Sequence, residues 1–294
     1  MDYYILFLVC VTGLCLGSFF NVVILRSLSG ESIVFPPSKC PKCNHKLYFW
    51  HNIPVLSYIF LRGKCWFCKE KISIQYPIVE TITMLLFGAA YIKFGVSMET
   101  LCVLFFISCL IIMTVTDLRE KIVDCNIAIA MGLIGFFYHG DIIGSILGVL
   151  AAIFILEVVA RAGIPFTGSR AMGEADTYIA GAFGIMFGIN NIITVLLCGL
   201  IAAMVFILPV FLYNQYRACR KGICIMSVIF ILAVLVFRTI DQNYFTMAAV
   251  ALSGIVLAVM ILKSMKKGVQ HIPFVPALTA GALYFIFFNV NFLS

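Results

Sequence analysis

The sequence predicts an all-α protein that crosses a membrane with about eight to ten helices. Of its 294 residues, 63% are hydrophobic and only 11% are charged, whereas roughly a quarter of a soluble domain is charged. The apolar residues also come in long unbroken runs, and the mean hydropathy is +1.11. These observations exclude a soluble enzyme and a disordered chain. A β-barrel fits them poorly, because barrel strands alternate apolar and polar residues.

Each apolar run is interpreted as one helix, since a span needs roughly 20 residues. The runs at 125–139 and 174–189 are short for this purpose. Only Asn190-Asn191 separates the second of them from the next run. The runs cover about residues 4–25, 77–95, 98–116, 125–139, 142–160, 174–189, 191–213, 224–240, 243–262 and 274–292.

The first run is interpreted as a retained helix, because it lacks the basic start and the cleavage pattern of a signal peptide. Gly13 and Gly17 in this run have the spacing that permits close helix contact. The basic residues predict the orientation of the chain. With the N-terminus outside, nearly all of the 20 Lys and Arg residues fall on the cytoplasmic side, and only Lys93 and Arg238 fall outside.

Residues 26–76 form the one long polar segment and contain two C-x2-C pairs. Two intervening residues let both sulfurs of a pair face one tetrahedral ion. The pattern therefore predicts a small loop resembling a zinc ribbon, with a structural Zn²⁺ on four thiolates. Two disulfides are an alternative that a cytoplasmic location disfavours, and four unconnected cysteines are another. The predicted ligands are Cys40, Cys43, Cys65 and Cys68.

Two aspartates lie where an apolar run meets the predicted cytoplasmic face. Asp117 follows the third run and Asp176 opens the sixth. A buried pair of carboxylates can share one proton, so that one activates water while the other donates to a peptide carbonyl. Gly173 would let a substrate strand approach closely. The alternative is that both residues are interfacial caps, because aspartate is a preferred N-cap residue.

A series of motifs follows along the chain. The first helix carries GSFFNVVILR at 17–26, and the loop carries PSKCPKC at 37–43, NIPVLSY at 52–58 and LRGKC at 61–65. ISIQYPIVE at 72–80 leads into the next helix. This order of motifs resembles the type IV prepilin peptidase family, whose members are aspartic membrane proteases that act as leader peptidases and N-methyltransferases.

The resemblance implies that Asp117 and Asp176 are the catalytic residues. Three family positions differ here by one residue each. Val123 stands for the proline after the first aspartate, Ala175 for the second glycine of G-x-G-D, and Val275 for the glycine of P-F-G-P. The Cβ of Ala175 is expected to cost about 1 kcal/mol if its position needs a positive φ.

Other polar residues match family positions in supporting roles. Gly173 and Glu174 precede the second aspartate, and Glu120, Asp124 and Glu174 are candidates for contact with a basic leader. Ser18, Asn21 and Glu80 lie near the predicted inner edge. Their alternative role is hydrogen bonding between helices.

The resemblance also implies the substrate and the cofactors. The substrates would be prepilins or pseudopilins of type IV pilus or type II secretion systems, cleaved after a short basic leader. The new N-terminus would then be methylated from S-adenosylmethionine, although no residues for its pocket can be assigned. Membrane lipids are expected partners of the basic loop, nucleic acid is not, and the oligomeric state stays open.

Three other functions remain alternatives at this point. A transporter could use the two aspartates as a proton relay, although transporter sites usually lie at the midplane of the membrane. A catalytically specialised paralogue and a zinc-dependent assembly factor are the others. The expected domains are a first helix at 1–25, the Cys-rich loop at 26–76, and a peptidase domain at 77–294 with an inserted helical hairpin at 224–262.

Overall fold

A computed structural model of the protein describes residues 2–35, 37–139, 141–162, 164, 173–217 and 274–288. Within these residues all the regular elements are helices, and residues 30–74 also form turns, short helical segments and two isolated β-bridges. Five of the described helices are long and apolar enough to cross a membrane. The all-α membrane class is therefore confirmed. The helices are α1 (Tyr3–Ser29), α2 (Leu56–Phe60), α3 (Gln75–Phe94), α4 (Met98–Glu120), α5 (Cys125–His139), α6 (Ile142–Ala162), α7 (Glu174–Arg217) and α8 (Val275–Phe288).

The longest helix, α7, corresponds to two of the predicted runs. It is interrupted at Gly188, where φ is 63° and ψ is 177°. Glycine adopts this conformation without the steric cost of a Cβ atom. The break thus lies two residues before the Asn190-Asn191 boundary expected from the sequence. The runs at 224–240 and 243–262, with the expected inserted hairpin, lie outside the described residues.

Glycine and serine set the short connection between α3 and α4. Gly95 ends α3 with a positive φ of 65° and a ψ of −151°, and its N–H donates to the carbonyl of Tyr91 at 2.8 Å. Ser97 is the N-cap of α4, and its hydroxyl accepts the N–H of Thr100 at 3.1 Å. These caps satisfy backbone groups that a helix end leaves without partners.

Helices α1 and α3 pack through glycine. A Cβ on Gly17 would lie 2.8 Å from the Cα of Glu80, and a Cβ on Gly13 would lie 2.9 Å from the Cα of Met84. Neither site has room for a larger residue. The close helix contact predicted from the spacing of these glycines is therefore present, with α3 as the partner helix.

The second half of the bundle is organised around α7, which packs against α5, α6 and α8. A phenylalanine cluster joins α4, α7 and α8 at its centre, with ring centroids 5.6–5.9 Å apart. Tilted and edge-to-face pairs of this kind stabilise beyond simple burial. Since the cluster fixes these three helices against each other, it also fixes the ends that carry the polar site. Its members are Phe106, Phe183, Phe187 and Phe285.

Candidate functional site

Asp117 lies in the last turn of α4, which ends where Lys121 adopts a left-handed conformation with φ 56°. The N–H of Lys121 donates to the main-chain carbonyl of Asp117 at 3.0 Å. The Asp117 side chain is only 5% exposed. Its Oδ2 atom accepts the backbone N–H of Val275 at 3.2 Å. The end of α4 is therefore joined to the start of α8 through the carboxylate itself.

A second hydrogen bond supports the same junction. The hydroxyl groups of Thr114 and Thr279 lie 2.8 Å apart, one helical turn from Asp117 and Val275 respectively. Thr279 is buried. Because a buried hydroxyl needs a partner, this pair restrains the rotation of α8 relative to α4.

Asp176 lies in the first turn of α7 and is 6% exposed. Its Oδ2 atom accepts the N–H of Gly173 at 3.1 Å. The carboxylate thus reaches back to the residue before the helix, as the acidic member of a capping box does. Asp176 is not itself the N-cap residue that the alternative interpretation expected, although it does satisfy a backbone donor at the helix start.

The two carboxylates lie close enough for the charge of Asp117 to act on Asp176. Among the described residues, neither forms an ion pair, and each accepts one backbone N–H on Oδ2. Lys121, at the end of α4, acts electrostatically on Asp117 but forms no ion pair with it. A buried pair of like charges holds a proton between its members. The arrangement can therefore present one ionised and one protonated carboxyl group at the same end of the bundle.

The positions that depart from the family pattern differ in their surroundings. Ala175 lies within α7 and is not among the residues with positive φ. The conformational cost expected for its Cβ is therefore absent. Val123 is half-buried in the connection between α4 and α5. Val275 contributes its main-chain N–H, a group that any residue except proline supplies.

Ser18, Asn21 and Glu80 do not meet the carboxylate pair. They lie between α1, α3 and the loop, and the Nδ2 group of Asn21 donates to the carbonyls of Gly17 and Tyr76 at 3.2 and 3.3 Å. The carboxylate of Glu80 accepts a loop N–H. Their role in these contacts is hydrogen bonding between elements. The side chain of Glu174 lies outside the described residues.

A link between this cluster and α4 was not anticipated from the sequence. Gln75 donates to the Oδ1 atom of Asn21 at 3.4 Å and accepts from Nε of Arg119 at 2.7 Å. Arg119 lies two residues after Asp117. The first turn of α3 therefore connects the α1–α3 pair to the end of α4. Gln75 and Arg119 are 44 positions apart, and nothing in the sequence indicates that they are in contact.

The four loop cysteines converge. Their sulfur atoms all lie within 4.8 Å of one another, and those of Cys40 and Cys68 are 3.9 Å apart. None of the four is in a disulfide. Zinc–sulfur bonds of about 2.3 Å in a tetrahedron place sulfurs about 3.8 Å apart. The group could therefore hold a metal ion, and four thiolates are a donor set that suits Zn²⁺.

The two C-x2-C pairs have matching local structures. In each, the first cysteine donates its N–H to a carbonyl five residues on, at 3.0 Å for Cys40 and 2.8 Å for Cys65. The residue after the second cysteine is left-handed, with φ 56° at Asn44 and 59° at Lys69. A β-bridge closes each turn, Lys39 with Lys46 and Lys64 with Lys71. Both turns thus present two sulfurs to one point.

The loop backbone also favours a thiolate. The N–H of Cys68 and then that of Phe67 donate to the sulfur of Cys65 and lower the pKa of this thiol to about 7. A metal ion binds the deprotonated form of cysteine. The N–H of Glu70 lowers the pKa of the Cys68 thiol, but burial and then the neighbouring cysteine sulfurs raise it to about 11, so Cys65 is the member of this C-x2-C pair that ionises first.

Comparison with known proteins bears on both parts of the chain. A prepilin leader peptidase/N-methyltransferase of Neisseria gonorrhoeae is 32% identical to it over 67% of this chain and 81% of the relative. The chain belongs to the type IV leader peptidase family. The model of the bacterial peptidase A24 N-terminal domain matches residues 11–94, and that of the type IV leader peptidase family matches residues 104–208.

Further members of the family carry the same name. A Bacillus subtilis protein is 34% identical over 61% of this chain and 73% of its own length. A Myxococcus xanthus protein is 33% identical over 64% of this chain, and the match covers 57% of that relative. No solved structure matches the chain significantly. The prediction that the chain is an enzyme, a peptidase with an associated methyltransferase activity, agrees with the family and these names.

Proposed function

We propose that this protein removes the short basic leader from type IV prepilins or pseudopilins by an aspartic mechanism and then methylates the new N-terminal amine with S-adenosylmethionine. Its relatives are named for both activities. The observation that carries the peptidase half is the buried pair of Asp117 and Asp176, each with one oxygen held by a backbone N–H.

The proposed reaction uses the two carboxyl groups in opposite protonation states. The ionised group takes a proton from water as the water oxygen attacks the scissile carbonyl carbon. The protonated group donates its proton to the carbonyl oxygen, which gives a neutral gem-diol. When the carbon–nitrogen bond breaks, the leaving amine receives a proton from the acid that formed in the first step, and the other carboxyl group, now ionised, takes a proton from a gem-diol hydroxyl. Both carboxyl groups are then ready for another water molecule.

The backbone donors orient this pair for the proposed reaction. Among the described residues, the Oδ1 atoms of Asp117 and Asp176 accept no hydrogen bond, whereas their Oδ2 atoms are held by Val275 and Gly173. One oxygen on each group is therefore free to contact water or the peptide. Fixed donors also reduce the reorganisation that the pair would otherwise need during proton transfer.

The loop is proposed to hold a structural Zn²⁺ on Cys40, Cys43, Cys65 and Cys68. A site closed by four thiolates leaves no position for a substrate, so the ion would stabilise the loop rather than take part in chemistry. In this proposal, the loop at 26–76 serves methylation and the region at 77–294 carries out cleavage. The methyl donor itself is supported by the names of the relatives.

The proposed location is a bacterial inner membrane, with the N-terminus outside and the loop and the carboxylates on the cytoplasmic side. The five apolar helices support a multi-pass protein, and the distribution of Lys and Arg supports this orientation. A prepilin would then place its apolar segment among the helices and its basic leader at the cytoplasmic face.

The peptidase proposal is tested with the full chain in lipid, a purified prepilin and labelled S-adenosylmethionine. We expect Asp117→Asn and Asp176→Asn each to lower the rate of leader cleavage about 10³-fold or more, since each removes one acid–base group. Both variants should still methylate a peptide that has already lost its leader. Glu99→Gln is the matched control, because Glu99 is a carboxylate in the first turn of α4, at the opposite end of that helix from Asp117.

Cleavage at the unmodified rate in both aspartate variants would overturn the peptidase assignment. Proton-coupled uptake that these same variants abolish, without any effect on cleavage, would instead favour a transporter.

A further inference from the structure

The loop between α1 and α3 exposes a continuous set of large apolar side chains, which we call the aromatic edge. Their exposed fractions range from 50% for Trp50 to 82% for Phe60. Part of the edge lines an open cleft of about 330 Å³. Apolar patches of this kind on the surface of a protein usually mark an interaction site. The aromatic edge consists of Phe49, Trp50, Leu56, Ile59, Phe60 and Trp66.

A buried hydrogen bond fixes the depth of this edge. The N–H of Val55, the residue before α2, donates to Oε2 of Glu80 at 2.7 Å. Glu80 lies one and a half turns inside α3, about 7 Å from its first residue at 1.5 Å per residue. The Ser18 hydroxyl faces the same carboxylate, which is 6% exposed. Val55 therefore lies beside the second turn of α3, so this part of the loop is next to a membrane-crossing helix where α2 begins.

The backbone at this point is held in an unusual conformation. Val55 has φ 58°, which is rare for a β-branched residue. Such a conformation persists only where neighbouring contacts impose it. The contact here is with the Glu80 carboxylate, and Leu56, Ile59 and Phe60 of the following helix are exposed. The exposed side chains of α2 thus directly follow a fixed attachment of the loop to α1 and α3.

Basic residues lie beside the aromatic edge. Lys69 stands over the ring of Trp66, with its Nζ 5.0 Å from the ring centroid. The turns that carry the cysteines expose further lysines, against only Glu31 and Glu70 as acids in the loop. Each lysine near an anionic membrane surface contributes about 1 kcal/mol to binding. The exposed lysines of these turns are Lys39, Lys42, Lys46, Lys64, Lys69 and Lys71.

We propose that the aromatic edge inserts into the interfacial region of the bilayer and docks the Cys-rich loop flat against an anionic lipid surface. Tryptophan and lysine are the residues typical of this region. Membrane-crossing helices flank the loop on both sides, and the Glu80 attachment sets its depth. The inference rests on these helices and does not depend on the proposed activity.

A small-molecule ligand is the competing occupant, because clefts of about 300–1,000 Å³ bind compounds of cofactor size. S-adenosylmethionine carries a sulfonium cation that aromatic rings can attract. The position of α2 beside α3 and the exposure of Ile59 and Phe49 favour lipid over a small molecule as the partner of the aromatic edge. These two side chains belong to the edge but not to the lining of the cleft, so a ligand in the cleft would leave them in water.

The composition of the chain offers a direct test, since its only two tryptophans, Trp50 and Trp66, both lie on the edge. The full chain is placed in nanodiscs of phosphatidylethanolamine and phosphatidylglycerol with bromine either near the headgroup or near the chain ends. We expect bromine near the headgroup to quench most of the tryptophan emission. Bromine near the chain ends should quench little, and acrylamide in the water should quench little as well.

Two results would overturn the proposal. In the first, acrylamide quenches the emission fully and brominated lipid leaves it unchanged, which would place the edge in water. In the second, S-adenosylmethionine quenches it saturably while brominated lipid does not, which would assign the cleft to the methyl donor.

Two further variants provide a matched comparison. Phe60→Ser removes an edge side chain that is 82% exposed, and Phe35→Ser removes a loop side chain that is 73% exposed and does not line the cleft. We expect Phe60→Ser to reduce quenching by the headgroup bromine and Phe35→Ser to leave it unchanged. Equal reductions would contradict an edge-specific insertion. Metal content measured on both variants shows whether the loop has kept its fold.

Discussion

The Cys-rich loop and the carboxylate pair are assembled over very different distances along the chain. The sulfurs of Cys40 and Cys68 come from positions 28 residues apart, whereas the hydrogen bond from Val275 to Asp117 joins positions 158 residues apart. The loop is closed by its own turns and bridges. The carboxylates are held by the packing of α4, α7 and α8, so they depend on the whole bundle.

This difference predicts that the two regions can be damaged separately. A change in the loop should remove the proposed metal ion from the cysteines and leave the helices packed. A change at a helix end should affect the carboxylates and leave the cysteines converged. The following predictions test this independence, beginning with the largest expected effect.

Replacing any one of the four loop cysteines by serine, for example Cys40→Ser, should abolish metal binding and methylation. Structural Zn²⁺ contributes about 10–16 kcal/mol to small domains, so the loop should lose its fold. Leader cleavage should persist. Metal analysis and the two activity assays on one preparation measure this. Cys15→Ser is the control, since Cys15 is an exposed cysteine of α1. Equal loss of cleavage would show that the two regions are coupled.

Replacing Val275 by proline should lower leader cleavage about 10- to 100-fold, because a hydrogen bond to a charged group is worth about 1.5–3 kcal/mol. Val275 is the first residue of α8, where proline is tolerated. Proline removes the N–H and keeps three side-chain carbons, in a ring of different shape. The rate of cleavage of a prepilin at saturating lipid provides the measurement. Methylation of a pre-cleaved peptide should not change.

Val275→Ala is the companion variant, since it keeps the N–H and loses part of a fully buried side chain. A greater loss of cleavage in Val275→Ala than in the proline variant would mean that packing, and not the amide donor, accounts for the role of this position.

Restoring the family's glycine with Ala175→Gly should have the smallest effect, within about twofold in cleavage. Ala175 is helical without a positive φ, so glycine would only lower the stability of the helix start by about 1 kcal/mol. A comparison of kcat/KM and thermal midpoints for the two proteins provides the check. A tenfold gain in kcat/KM would show that the glycine has a role during turnover.

The comparison also explains which features could be predicted from the sequence. The apolar helices and the four cysteines are visible because composition and short spacing determine them directly. Asp117 and Asp176 could be singled out in the sequence, because placing a charged side chain at the edge of a membrane segment costs free energy and such residues are rare. All of these are properties of side chains and of near neighbours in the chain.

The features that could not be predicted involve backbone donors and distant partners. Val275 and Val55 each donate a main-chain N–H to a buried carboxylate, and no side-chain pattern marks such a group. The break in α7 falls at Gly188 and not at the polar Asn190-Asn191 pair. Glycine has a conformational role there that hydropathy does not record.

The shortness of α5 has a consequence for the lipid around the carboxylates. This helix has 15 residues and extends about 22 Å, against roughly 30 Å for the hydrocarbon core of a bilayer. It packs on α7, where a Cβ on Gly135 would lie 3.0 Å from the Cα of Met186. An apolar helix shorter than the hydrocarbon core is accommodated when the bilayer thins around it. We expect acyl chain length to affect the rate of the proposed cleavage, because a thinner bilayer shortens the distance that water must cover to the two carboxylates.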